Sequence, residues 1–150
     1  MSIPIRVKIK RLPGGEGLPL PARMTEHAAG WDLCAACREN VVVQPGQIAL
    51  IPCGFCMQIP VGYEAQVRPR SGLATKFGIT MINAPGTIDA DYRGEVFVPM
   101  INHGKAPFTV ERGMRIAQML ILPVPEVVLD EVQDLDDTAR GGGGFGHTGT

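Results

Sequence analysis

The stretch MINAPGTIDADYRGEV, Met81 to Val96, sets polar side chains between apolar ones. Two carboxylates two positions apart, Asp89 and Asp91, are followed by Tyr92, Arg93 and Gly94. In an extended backbone Asp89 and Asp91 share one side and Tyr92 lies opposite. A carboxylate is ionised at neutral pH and can take a proton from water, so this segment suits a general base on a pocket rim. It suits equally a solvated turn, because Asp, Arg and Gly are good turn formers. In PRSGLA, Pro69 to Ala74, Ser71 can cap the turn that follows and Gly72 permits close backbone approach. Exposed N–H groups there would attract an anion; a plain helix cap is the other reading. The tail RGGGGFGHTGT places Arg140, Phe145, His147 and Thr148 among glycines. Four consecutive glycines are costly to order, so the tail is expected to be mobile until outside contacts hold it. A linker would share that composition.

A second pattern points elsewhere. Cys34, Cys37, Cys53 and Cys56 form CxxC–x15–CxxC, a spacing found in structural zinc sites. The context opposes that reading. Cys34 and Cys37 lie in WDLCAAC, where a strand would point positions i and i+3 to opposite faces. Four small, reduced, mostly buried thiols are the expectation. The histidines, His27, His103 and His147, are scattered and need not be ligands.

These residues need a scaffold that brings distant segments together. At 150 residues the chain fits one domain and can bury roughly two-thirds of its unfolded surface. Glycine (19) and proline (13) break it often, and only SGLATKF, Ser71 to Phe77, reads as a helix. Strands separated by turns are expected, hence an all-β sandwich or barrel. Candidate strands are 30–35, 40–43, 48–59, 63–68, 79–83, 86–90, 94–102, 106–111, 115–122 and 126–132. At residues 3–10, Ile3, Ile5, Val7 and Ile9 alternate with cations, as in a half-buried strand. From about Asp134 the apolar residues thin out, so residues 1–133 are expected to form the domain and 134–150 a flexible tail. A net charge of −1 implies no general attraction to nucleic acid or membrane. With no long apolar run and no signal-like start, a cytoplasmic protein is expected.

GTIDADYRGEV resembles the third of five motifs of the trimeric dUTPases. AGWDLCA (Ala29 to Ala35) is similar to the first, PRSGLA to the second, RIAQMLI (Arg115 to Ile121) to the fourth and RGGGGFGHTG (Arg140 to Gly149) to the fifth. The five are collinear, and the resemblance runs from about residue 4 to the end. It implies a single-domain β-barrel or jelly-roll-like fold with one short helix and a Gly-rich C-terminal tail that closes the active site. The implied reaction is hydrolysis of dUTP to dUMP and pyrophosphate, which limits uracil in DNA and supplies dUMP for thymidylate synthesis.

The resemblance also implies roles. The residue matching Asp89 orients and deprotonates the water that attacks the α-phosphorus. Arg70, Ser71 and Gly72 contact phosphates, and Gln118 reaches them as a neutral donor. Arg115 is expected opposite Gln118 on a strand, where it could pair with Asp32. Asp32 is implied to touch Mg²⁺ through its waters, an ion that takes six oxygens and keeps several waters. The Asn83 amide matches an edge of uracil, completed by backbone groups of Gly86, Thr87 and Ile88. Tyr92 packs on deoxyribose and leaves no room for a 2′-hydroxyl. Arg140 meets the γ-phosphate, Phe145 stacks on uracil, and Gly146, Thr148 and neighbouring N–H groups add phosphate donors. His147 stands where the family usually has Ser. The implied assembly is a homotrimer in which three chains share each site: motifs one, two and four from one subunit, the third-motif segment, expected as a hairpin, from another, the tail from the last. A dCTP deaminase is the rival, but Pro99 lies where that chemistry needs a glutamate, and Glu95 comes too early. A non-enzymatic module on this fold would not need Asp89, Arg140 and Phe145 together.

Overall fold

A computed structural model describes residues 3–149. Strands β1 (Lys8–Arg11), β2 (Trp31–Cys34), β3 (Val41–Val43), β4 (Ile48–Pro52) and β5 (Phe55–Gln58) lead into β6 (Tyr63–Pro69) and helix α1 (Ser71–Phe77). Strands β7 (Ile79–Met81), β8 (Gly86–Ile88), β9 (Phe97–Asn102), β10 (Phe108–Val110) and β11 (Arg115–Pro123) follow. The expected all-β, jelly-roll-like architecture with one short helix is present. Its sheets are separate rather than closed into a barrel: β2-β11-β6-β8, β4-β9-β7, β1-β5 and β3-β10, with every pairing antiparallel.

One core lies between them. Leu33, Val43, Ile51, Ile79, Val96, Val98, Met100 and Val110 are essentially inaccessible to solvent. Fully burying an aliphatic side chain of this size is worth about 1.5–3 kcal/mol, so these residues dominate the forces that set the sheets against each other. Asn102 is the one buried polar side chain among the described residues, and it is fully used. Its amide donates to the Val43 and Ala106 carbonyls, and its oxygen accepts from the Gly104 N–H.

Seven residues are too few for a helix to persist alone. Helix α1 is held by Leu73 packed on the core and by Phe77 against Phe108, ring centroids 5.3 Å apart. It ends at Gly78, whose φ of 70° and N–H bonds to the Leu73 and Ala74 carbonyls form a left-handed cap. A Cβ there would also strike the Gly104 backbone at 2.6 Å.

Several expectations need correction. Residues 48–59 are two strands, because Gly54 turns the chain at φ 73° and fits tightly against Gly15. The N-terminal strand covers only Lys8–Arg11, pairs with β5 alone, and is exposed throughout. Ile3, at 92% exposure, is not half-buried in the single chain. Residues 126–132 form no strand and are exposed, having no partner strand within one chain. Ser71 is the first helical residue rather than the cap; Arg70 holds that place, with no side-chain capping bond.

Candidate active site

Two groups of polar residues emerge, one on each side of strand β6. The first begins at the β2–β11 ladder. The register shifts by one residue between Arg115 and Ala117, so Arg115 faces Cys34 while Gln118 faces Asp32. Partners across a ladder point the same way, as do alternate residues in a strand. The bulge at Ile116 therefore brings Arg115 and Gln118 to one face, where an unbroken strand would oppose them. This corrects the expectation and explains how both reach the same site.

Asp32 is the anionic centre of this group. Its carboxylate accepts from Arg115 Nη1 at 3.0 Å and lies 3.8 Å from Arg70 Nε. Arg70 is tied by its Nη1 to the Arg115 carbonyl at 2.9 Å. Gln118 donates to the Pro69 carbonyl at 3.1 Å, just before Arg70, Ser71 and Gly72 open α1. Gly30 completes the packing: a Cβ on it would lie 2.4 Å from the Gln118 amide oxygen. That neighbour was not singled out from the sequence, although its place in AGWDLCA was a signal. With two guanidiniums beside one carboxylate, the group can receive anionic oxygens.

Cys34 borders the same cluster. Burial pushes its thiol pKa upward, Arg115 and Arg70 pull it down, and Asp32 adds to the rise. The cysteines are all unpaired, with Cys37 and Cys53 buried. Cys37 donates to the Val110 carbonyl and Cys56 to the Lys10 carbonyl. Among the described residues no three His, Cys, Asp or Glu side chains gather around a common point.

The second group lines a cavity of about 250 Å³. Its wall holds Asn83, Gly86, Thr87, Ile88, Asp89 and Tyr92, with Leu50, Val67, Glu95 and Pro99. Strand β8 bonds to β6, whereas β7 bonds to β9, so residues 79–88 cross between sheets rather than form a hairpin. Beyond β8 the chain turns sharply, with Tyr92 N–H donating to the Asp89 carbonyl at 3.2 Å. That turn replaces the extended backbone expected from the sequence. It lets Asp89 and Tyr92 line the same cavity instead of opposite faces, and Asp91 is not part of the lining. Leu50, the partner of Pro99 in the β4–β9 register, was missed because nothing local relates it to Asn83.

The two groups do not share a cavity in one chain: Asp32, Arg70 and Gln118 are absent from the lining around Asp89. The tail stands apart as well. Arg140 Nε donates to the Gly143 carbonyl, and the tail's other hydrogen bonds are equally local. Phe145 is fully exposed, with a left-handed φ of 51°. Gly146 and Thr148 are likewise far from burial.

The family model described as dUTPase matches residues 16–149. The chain belongs to the dUTPase family. As a dUTPase it is a dUTP diphosphatase, an enzyme that hydrolyses dUTP. Its fold is similar to that of the Staphylococcus bacteriophage 80alpha dUTPase bound to dUpNHpp, at 26% identity and a TM-score of 0.86, covering 97% of this chain and 99% of the other. A point variant of that phage enzyme with dUpNHpp is 25% identical at the same TM-score and coverage. A dUTPase variant from phage phi11 of S. aureus, described for its coordination of a structural Mg(II) ion, is 23% identical with a TM-score of 0.77, over 86% and 97% of the two chains. No helix in the described residues is long and apolar enough to cross a membrane.

Proposed function

We propose that this dUTPase cleaves between the α- and β-phosphorus of dUTP, with Asp89 orienting a water and accepting its proton during attack on the α-phosphorus. The observation that carries this reading is the single cavity around Asp89, Asn83 and Tyr92. Asn83 offers a donor and an acceptor to uracil, the Gly86–Ile88 backbone meets the same edge, and Tyr92 closes the wall against the sugar. Asp89 stands at the rim, where the α-phosphate of a nucleotide so held would pass. Arg70, Ser71, Gly72 and Gln118 would bind the phosphate chain, and the guanidiniums would offset the charge that builds on it.

Asp32 fits Mg²⁺ held mainly by others. One carboxylate, with no second acid beside it, cannot enclose the ion, but it can bind the ion's waters while triphosphate oxygens complete the shell. When bound, the ion supplies charge neutralisation at the phosphate oxygens.

The separation of the Asp32 and Asp89 groups supports sites shared between chains of a homotrimer. So does the apolar surface left open in one chain, where Leu50, Val128 and Leu129 are 62%, 77% and 92% exposed. Residues 134–149, with Arg140, Phe145, Gly146 and Thr148, would then close over a neighbouring site, ordered only by nucleotide because their glycines resist fixation. Residues 1–133 would act as the domain proper. The four free thiols favour a reducing, cytoplasmic setting, in which the enzyme would limit uracil in DNA and supply dUMP.

A deaminase reading fares worse. Pro99 occupies the cavity wall where the acid would be needed, and the Glu95 carboxylate is engaged by the Gly54 N–H at 3.0 Å. Following pyrophosphate release from dUTP, UTP, dTTP and dCTP with Mg²⁺ tests the proposal. Release from dUTP alone is expected; ammonia release from dCTP, or equal turnover of all four, would refute it.

A further inference from the structure

Tyr92 is 44% exposed, so burial in the core does not hold it in place. Two local contacts do. Its hydroxyl donates to the Glu95 carbonyl at 2.8 Å. Its ring lies over Gly94, where an added Cβ would sit 2.4 Å from Oη, 2.6 Å from Cζ and 3.0 Å from Cε2. Gly94 has no left-handed φ, so space rather than backbone conformation demands glycine here.

The seat is anchored in turn. Glu95 Oε1 accepts from the Gly54 N–H at 3.0 Å, between β4 and β5. Adjacent ladder bonds hold Val96, whose N–H donates to the Phe55 carbonyl and whose carbonyl accepts from Cys53, both at 2.9 Å. Gly54 is fixed against Gly15 and accepts from the Leu12 N–H at 2.9 Å. Glu95 therefore contributes twice: its carbonyl holds the tyrosine, and its carboxylate holds the segment carrying that carbonyl.

We infer that Gly94 and Glu95 are positioning residues for sugar selection, forming a fixed seat that stops the Tyr92 ring from swinging aside to admit a 2′-hydroxyl. The inference rests on the reading of Tyr92 as the sugar wall. A ring fastened only at Cα could rotate by an ångström at little cost; one fastened at its hydroxyl and its face cannot.

Steady-state kcat and KM for dUTP and UTP, measured on the wild type and five variants, test this. Gly94→Ala and Glu95→Ala should each lower the dUTP/UTP ratio of kcat/KM at least tenfold, chiefly through a lower KM for UTP. Glu95→Gln, which keeps an acceptor for the Gly54 N–H, should retain the wild-type ratio. In a Tyr92→Ala background, Gly94→Ala should change the ratio no further. A wild type that turns over UTP as well as dUTP would overturn the sugar-wall reading itself. A selective wild type whose ratio is unmoved in Gly94→Ala and Glu95→Ala would overturn this inference alone, as would a ratio lost equally in Glu95→Gln.

Discussion

Arg115 and Asp32 meet at 3.0 Å across the β2–β11 ladder because a bulge of one residue brings Arg115 to the face that Asp32 occupies. With its side chain 44% exposed, Arg115 gives a pair that adds little stability, on the order of 1 kcal/mol or less. Its effect falls on the position of Asp32.

Arg115→Ala should accordingly leave the thermal midpoint within a few degrees of wild type while raising the Mg²⁺ concentration for half-maximal activity several-fold. Asp32→Asn should raise it further. Activity titrated with Mg²⁺, beside thermal unfolding, checks both. An unchanged Mg²⁺ requirement in Asp32→Asn would remove that residue from metal binding.

Truncation after Ala139 should cost at least about a hundredfold in kcat/KM, since orientation and charge contacts of this kind contribute that much. The fold and the assembly should survive, because the tail's hydrogen bonds are all internal to it. Kinetics, thermal unfolding and size-exclusion chromatography of the truncated chain provide the check.

Chains carrying Asp89→Asn and chains carrying Arg140→Ala, each inactive alone, should partly restore activity when co-assembled. Some sites in a mixed trimer would then combine an intact Asp89 with an intact tail. Complete failure in verified mixed trimers would count against shared sites.

Burial pushes the Cys53 thiol up to about 12, with the nearby Glu95 carboxylate adding to the rise. Unfolding releases it to its ordinary value near 9. The folded state thus keeps a proton that the unfolded state loses between those values. Its contribution is complete below about pH 9 and falls by roughly 1.4 kcal/mol per pH unit above it. Urea midpoints measured from pH 7 to 10.5 should drop at the alkaline end, and Cys53→Ala should flatten that drop.

Much of this was legible in the sequence where a pattern was local. Apolar segments bounded by turn residues located most strands, as at Val41–Val43 and Arg115–Pro123, and Asn83, Asp89 and Tyr92 do line one cavity. What escaped depends on partners far along the chain. The bulge at Ile116 exists only against β2, and the close fit of Gly54 on Gly15 divides what reads as one strand. Residues 126–132 have the β-branched, apolar character of a strand, with Val127, Val128, Leu129 and Val132, but a strand needs a neighbour, and one chain offers none. The seat formed by Gly94 was hidden because glycine in DYRGEV looks like an ordinary turn residue, while its contact is with a side chain.

The assignment of Asp89 as the general base is tested most directly by Asp89→Asn, an isosteric change that removes only the capacity to accept the proton. Turnover of dUTP should fall by about 10²–10⁴, while the affinity for dUTP measured by titration calorimetry stays within a few-fold of wild type. Turnover close to wild type with dUTP still bound would contradict the account.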